Sequence, residues 1–330
     1  MSEFSPGLVT VFGGSGFVGA QVVRALVKRG WRVRVAVRRP GLAYDLKPLG
    51  DVGQIQTVRC DIADEAAVAD ALRGASAAVN LVGILYETPG RKFQAVHVDG
   101  ARRIAEACAA AGIDRLVQVS AIGAKPDSNA AYARSKAEAE MVVRKVKPDA
   151  VVVRPSIVFG AGDDFLNRFA ALAAIAPALP LIGGGQTKFQ PVYVGDVAEA
   201  IARAVVRIDA AGRTFELGGP AVMTFEAVLK LILRETNRSR ALIPLPFFAA
   251  RMIGNLAQLT ALVGIAPVLT ADQVEMLKVD TVVGPDSEGL EALDIQPTGI
   301  DAIAPAYLWR YRRGGQFAES PAMRDAVTAQ

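Results

Sequence analysis

Tyr132 and Lys136 stand four residues apart in a run, Ala130 to Val146, whose pattern predicts a helix. Four residues is just over one turn, so the phenol and the ammonium share a helix face. A cation in that place lowers the phenol pKa from about 10 and holds a ribose hydroxyl, which makes the pair a general acid with its electrostatic partner. Ser120, at the end of the apolar run Arg115–Ser120, is the third candidate catalytic residue. A Tyr-x-x-x-Lys spacing recurs by chance, and its weight comes from a second motif. Residues Val11 to Gly19 read Val-Phe-Gly-Gly-Ser-Gly-Phe-Val-Gly, a short apolar strand running into glycines and then into a helical stripe. Gly13 would make a tight turn, Gly16 would let a pyrophosphate approach, and Gly19 would let the helix lie close on the strand. Ser15 and Phe17 complete this candidate dinucleotide turn, whose bland alternative is a plain glycine-rich connection.

The second strand, Arg32 to Val37, ends in Arg38-Arg39-Pro40. An NAD site normally carries an acid about 20 residues beyond the glycines, to hold the ribose hydroxyls. Two arginines there instead favour NADP(H) over NAD(H), because a guanidinium pairs bidentately with a 2′-phosphate. The alternative is a solvated strand end.

Elements able to position these groups alternate along the first half. Apolar runs at Leu8–Phe12, Arg32–Val37, Ile55–Arg59, Ala77–Val82, Arg115–Ser120 and Ala150–Arg154 predict strands, with helices between them. That rhythm predicts an α/β fold with a doubly wound parallel sheet, whose ligands sit at the carboxyl ends of the strands. Asp61 and Ile62 follow the third strand and Val82 and Gly83 the fourth. All four are candidate cofactor contacts. For Asp61 the competing role is a cap for a helix over Ala63 to Leu72.

After Gly160 the rhythm loosens. We expect a nucleotide domain over residues 1–160, with 188–208 returning to it, a smaller helical lobe over 161–313, and a polar, disordered tail over 314–330. Phe165–Ile175 predicts a helix, Lys188–Val194 a strand and Gly195–Ile208 a helix.

Composition narrows the function classes. With 330 residues, 52% of them hydrophobic, the chain supports a large core. Cys60 and Cys108 fall in core patterns, which argues against a disulfide framework. His97 is the single histidine, so no His/Cys metal cluster is expected. The net charge of +4 is spread along the chain, and no nucleic-acid motif accompanies it. Neither a signal peptide nor a transmembrane span is expected.

Together Gly13/Gly16/Gly19, Asp61-Ile62, Tyr132/Lys136 and Arg154-Pro155-Ser156-Ile157-Val158-Phe159-Gly160 resemble the extended and atypical short-chain dehydrogenase/reductases over nearly the whole chain. Further stretches are similar to one branch, the nucleotide-binding alpha-subcomplex accessory subunit of respiratory complex I and its bacterial relatives. They are Val96–Ile104, Val119-Ser120-Ala121, Gly160 to Asn167 and Thr270-Ala271-Asp272-Gln273-Val274. The resemblance implies a tightly bound, structural nucleotide, with Pro155 and Ile157 among its contacts. It also implies respiratory complex I subunits or the inner-membrane surface as partners, and a cytoplasmic protein peripheral to that membrane. It exposes departures too. Ile122 occupies the place of the usual catalytic Ser or Thr, and His97 the place of an Asn that completes a proton relay. His97 is either a relay or a hydrogen-bonded core residue. An incomplete site of this kind leaves open an active oxidoreductase or epimerase on a small quinone- or isoprenoid-related carbonyl.

Between Ala241 and Thr270 the one charge is Arg251. The stretch reads either as a pair of core helices or as an amphipathic surface anchored by Phe247, Phe248, Met252, Ile253 and Leu256. Trp309-Arg310-Tyr311-Arg312-Arg313 suits an anionic surface or a solvated helix end.

Overall fold

The computed structural model describes residues 6–258, 260–261 and 267–318. Seven strands form one parallel sheet: β1 (Leu8–Phe12), β2 (Arg32–Val37), β3 (Ile55–Arg59), β4 (Ala77–Asn80), β5 (Arg115–Val119), β6 (Val151–Pro155) and β11 (Thr214–Leu217). Their order is β11-β6-β5-β4-β1-β2-β3, so the chain reverses direction across the sheet between β1 and β4. Strands buried on both faces read as continuous Val/Ile/Ala runs, which is why the first six are legible in the sequence to within two residues. The fourth is shorter than expected. It ends at Asn80, whose side chain turns back to accept from Val82 N at 3.1 Å and donate to Gln118 Oε1 at 2.8 Å.

Helices cover both faces. On one, α1 (Phe17–Lys28) and α6 (Val194–Val206) pack Val22, Leu26, Ile201 and Val205 onto Val9, Val33 and Val117. On the other, α2 (Glu65–Leu72), α3 (Gly100–Ala110) and α4 (Ala131–Val146) bury Leu72, Ile104 and Val143 with both cysteines. Burial raises the Cys60 thiol to about 11 and Cys108 to about 12, so both behave as small apolar core groups. Helix α2 starts two residues later than expected. Asp64, not Asp61, is its N-cap and accepts from Ala67 N.

The second half builds a lobe with its own core. Strands β7 (Val158–Phe159), β8 (Ala178–Ile182), β9 (Lys188–Phe189), β10 (Val192–Tyr193), β12 (Met223–Thr224) and β13 (Ala241–Leu245) form three two-stranded pairs. The expected single strand over Lys188–Val194 is thus two short ones, split at Gln190-Pro191, where proline has no N–H to donate. Helices α5 (Phe165–Ile175), α7 (Phe225–Glu235), α8 (Phe247–Gln258) and α9 (Ala271–Met276) complete the lobe around Phe159, Phe189 and Phe225.

Helix α8 corrects the core-helix reading for Phe247–Gln258; the second expected helix falls, at residues 259 and 262–266, outside the described residues. Helix α8 buries Ala250 and Gly254, while Phe248, Met252, Ile253 and Leu256 face outward, 49% to 71% exposed. Arg312 is also misread as surface charge: it is buried, and its Nε donates to Glu235 O at 2.7 Å. The disordered tail expected over 314–330 falls, from residue 319 onward, outside the described residues; Gly315–Phe317 form a 3₁₀ turn.

Candidate nucleotide and active site

Two cavities meet the elements just described. The larger, about 660 Å³, opens at the carboxyl ends of β1 to β4. Gly13, Ser15, Gly16, Arg38, Arg39, Ile62, Val82 and Gly83 line it, joined by Arg59 and Arg91, which sequence reasoning missed. The turn has the geometry such a cavity requires. Gly13 has φ +77°, open to glycine at no cost, and Gly16 N donates to Gly13 O at 3.1 Å. A Cβ on Gly19 would lie 2.4 Å from Gly13 O, so only hydrogen fits between helix and turn. The lining holds four arginines and no carboxylate. A dinucleotide with its phosphates fits that charge.

Several expected contacts lie elsewhere. Asp61 does not line the cavity; its carboxylate accepts from Ala63 N at 3.0 Å, an Asx turn that leads into α2. Phe17 packs beside Gly160, Gly19 is under the turn, and Pro155 and Ile157 belong to the β6 end and the lobe core.

The smaller cavity, about 270 Å³, is lined by Tyr132, Ile122 and Ser128 on one side and by Met276, Val279 and Thr281 of the lobe on the other. Lys136 lines neither cavity, and its ammonium approaches the larger one only behind Gly83. A Cβ on Gly83, a lining residue of the large cavity, would lie 3.3 Å from Lys136 Nζ. Bare backbone at 83 is therefore what lets the ammonium pack this close to the cavity wall. Nζ is also 5.8 Å from the Tyr132 ring centroid and 3.4 Å from Val119 O.

Electrostatics here differ from the expected phenol tuning. Burial raises the Tyr132 phenol to about 12 instead of letting it fall. Burial also lowers the Lys136 ammonium to about 8, against a smaller upward pull from Glu140. An ammonium whose proton is lost near pH 8 is only partly charged there, which limits it as a tuner for its neighbour.

His97 lies on a π-helical turn, Gln94–Asp99, that leads into α3. Its Nε2 accepts from Ile84 N at 3.0 Å and Nδ1 meets Ser135 Oγ at 2.8 Å, while Ser135 Oγ donates to Tyr132 O at 2.7 Å. With Nε2 accepting, the proton is on Nδ1 and donated to Ser135. Both nitrogens are occupied, and burial pushes the imidazole down to about 3. The core reading of His97 holds: it is a neutral strut between the β4 loop and α4, with no free nitrogen for a relay.

Ser120 is buried at 4% exposure, and its Oγ has no hydrogen-bond partner among the described residues. It lines neither cavity. Ile122 lines the same cavity as Tyr132 and presents an alkyl group at the place where the resemblance expects a Ser or Thr hydroxyl.

The profile of the NAD dependent epimerase/dehydratase family matches residues 9–218. The chain belongs to that family. Within it the chain is 38% identical, over 94% of its own length and 82% of the relative's, to "NADH dehydrogenase [ubiquinone] 1 alpha subcomplex subunit 9, mitochondrial" of Rattus norvegicus. It is 34% identical to "Ceramide reductase" of Caulobacter vibrioides, over 60% of this chain and 61% of that one. Among solved structures, the dTDP-glucose 4,6-dehydratase of Streptomyces venezuelae superposes with a TM-score of 0.70 at 19% identity, covering 93% of this chain and 98% of the other. This epimerase/dehydratase member therefore has the family's doubly wound sheet with a helical C-terminal region, and its homologues include a complex I accessory subunit. No helix among the described residues is long and apolar enough to cross a membrane.

Proposed function

We propose that this chain is a nucleotide-holding accessory protein of the respiratory NADH:quinone oxidoreductase, with its dinucleotide kept as part of the structure and not turned over. One observation carries the reading. The cavity beside Tyr132 presents Ile122 where a substrate oxygen would need a hydroxyl, and neither His97 nor Ser120 stands in for it. A nicotinamide can exchange hydride with a carbonyl, and Ile122 offers that carbonyl no donor; the hydroxyls that do line the cavity are those of Ser128, Tyr132 and Thr281. Gly13, Ser15, Gly16, Val82 and Gly83 bind the dinucleotide, while Lys136 and Tyr132 hold its nicotinamide ribose. The preferred form is NADP(H). Arg38 and Arg39 are exposed at the end of β2 and engaged in no ion pair among the described residues, and Arg59 lines the same acid-free cavity.

The protein docks through α8 on a lipid surface beside the oxidoreductase. Four exposed apolar side chains suit a bilayer, and the helix's one charge, Arg251, is paired with Glu275 at 3.4 Å, so the apolar face carries the contact. Sedimentation with anionic vesicles should be lost in Phe248→Ser/Leu256→Ser at unchanged stability. Binding only to membranes that contain the oxidoreductase would make the partner a protein instead.

The test of the main reading is the nucleotide that stays with freshly purified protein, identified by mass spectrometry and ultraviolet absorbance, and its off-rate. Stoichiometric NADP(H) leaving over hours supports it. Rapid exchange with steady substrate-dependent NADPH oxidation sinks it, and favours the second reading, a working reductase or epimerase on a small quinone- or isoprenoid-related carbonyl. The 270 Å³ cavity reaching Tyr132 speaks for that alternative. Tyr132→Phe would then abolish turnover with nucleotide binding intact.

A further inference from the structure

Helix α4 carries Tyr132 and Lys136, yet its own sequence gives it no cap. Ala130, at the N-cap position, has no side chain able to accept. The first turn's N–H groups must find partners elsewhere. They find one carboxylate from the lobe: Ala131 N donates to Asp272 Oδ1 at 2.5 Å and Tyr132 N to Asp272 Oδ2 at 3.0 Å. Asp272 is not needed for this purpose by its own helix. In α9, Thr270 and Gln273 form a complete capping box, with Gln273 N to Thr270 Oγ1 at 3.2 Å and Thr270 N to Gln273 Oε1 at 3.1 Å. The carboxylate thus stands in the first turn of α9 while its hydrogen bonds go to the start of α4, joining the two halves of the molecule. Beyond α9 the path continues to the outward-facing helix. A Cβ on Gly254 of α8 would lie 2.7 Å from Ala271 N, so α8 rests directly on the start of α9.

We propose that Asp272 is a positioning residue for Tyr132, and that through it the docking of α8–α9 and occupancy of the nucleotide site are linked. The proposal rests on the reading that Tyr132 and Lys136 hold the nicotinamide ribose. A nucleotide that orders the start of α4 fixes the two N–H groups that Asp272 grips, so it also holds α9; by reciprocity, anything that fixes α9 raises nucleotide affinity by the same factor, which slower release reports where association is unchanged.

The test uses the full chain with NADPH as probe. Hydrogen exchange of Ala271–Met276 should slow on adding NADPH, along with that of Ala131 and Tyr132. Asp272→Ala should speed NADPH release by roughly 2- to 30-fold, the range that loss of a helix cap represents, and should abolish the protection of α9. Adding Ala130→Ser to Asp272→Ala supplies a cap in cis. The double variant should recover slow release without recovering protection of α9. A merely structural Asp272 would not separate those two readouts. The proposal falls if NADPH protects α4 but not α9 in the unaltered chain, a measurement that stands even if Asp272→Ala does not fold. It also falls if Asp272→Ala releases NADPH at the unaltered rate while Lys136→Ala releases it faster; in that case the reading of the ribose site survives. Unchanged release from Lys136→Ala would overturn the site reading and the linkage together.

Discussion

Gly19→Ala and Gly16→Ala add the same methyl group three residues apart and should damage different properties. At Gly19 the new Cβ would lie 2.4 Å from Gly13 O and 2.7 Å from both Gly14 C and Cα, all backbone atoms with no rotamer to escape into. Overpacking of that kind costs about 1–3 kcal/mol or more, and alanine's better helix propensity returns at most about 1 kcal/mol. A net loss of about 2 kcal/mol is expected even without nucleotide. At an m-value of roughly 3 kcal/mol/M, that lowers the urea midpoint by about 0.7 M. At Gly16, by contrast, the Cβ meets nothing nearer than Gly13 O at 3.4 Å, and φ −76°, ψ 175° is open to any residue. Gly16→Ala should therefore unfold within about 0.5 kcal/mol of the parent, yet bind NADPH at least tenfold more weakly, because its methyl projects where the pyrophosphate approaches. Urea unfolding of the nucleotide-free chains and NADPH fluorescence titration measure the two effects. An unchanged midpoint for Gly19→Ala, or parental NADPH affinity for Gly16→Ala, would refute the steric reasoning about the turn.

Arg38→Asp should weaken NADPH binding by about tenfold or more, one charge-assisted pair turned to repulsion, while NADH binding holds or improves; unchanged NADPH affinity would remove Arg38 from the 2′-phosphate. Lys136 gives a pH signature: its folded pKa of about 8 lies below the ordinary 10.5, so above pH 8 the unfolded chain holds a proton that the folded chain has lost. Stability of the nucleotide-free protein should rise between pH 8 and 10, by up to about 3 kcal/mol at ~1.4 kcal/mol per unit, and fall again as the unfolded chain's tyrosines ionise before the raised Tyr132. Lys136→Met should flatten the rise, and a rise that survives this substitution belongs to another group. Arg312→Ala, which removes the buried guanidinium from Glu235 O while Arg234 still pairs the Glu235 carboxylate at 2.9 Å, should cost about 1–3 kcal/mol in thermal unfolding, against little for the exposed Arg310; equal effects would mean that burial of Arg312 contributes nothing special.

Legibility in the sequence followed the physics of each part. Apolar strands flanked by glycines announce themselves, so β1 to β6 and the glycine turn stood out. β11 did not: Thr-Phe-Glu-Leu is four residues with a charge inside, and only its place beside β6 makes it a strand, with Glu216 meeting Arg154 at 3.3 Å. The Tyr132–Lys136 pair was visible from helix spacing, but its tuning was not, because pKa follows burial and burial belongs to the assembled fold. Arg91 was missed because it lies in a loop without a motif; Arg59 sits at the carboxyl end of β3 beside the candidate contacts, where it reads as a solvated strand end. Ala130 held a usable clue to Asp272: a helix with an alanine at its start needs an acceptor from somewhere. For α8, a stripe of Phe, Met, Ile and Leu reads alike whether it faces a core or the outside. The tight approach at Gly254 decides which face is buried, and it depends on a partner helix that composition does not reveal.

The position of β11 at the sheet edge also orders the birth of the molecule. Residues 160–213 run out into the lobe and back before Thr214–Leu217 can pair with Val152–Pro155. Until residue 217 leaves the ribosome, β6 is an open edge reading Val-Val-Val, the kind of strand that recruits other chains. The nucleotide half therefore cannot finish folding as a leading domain while the rest is still being made. It waits on a long-range closure that slows folding and lengthens exposure.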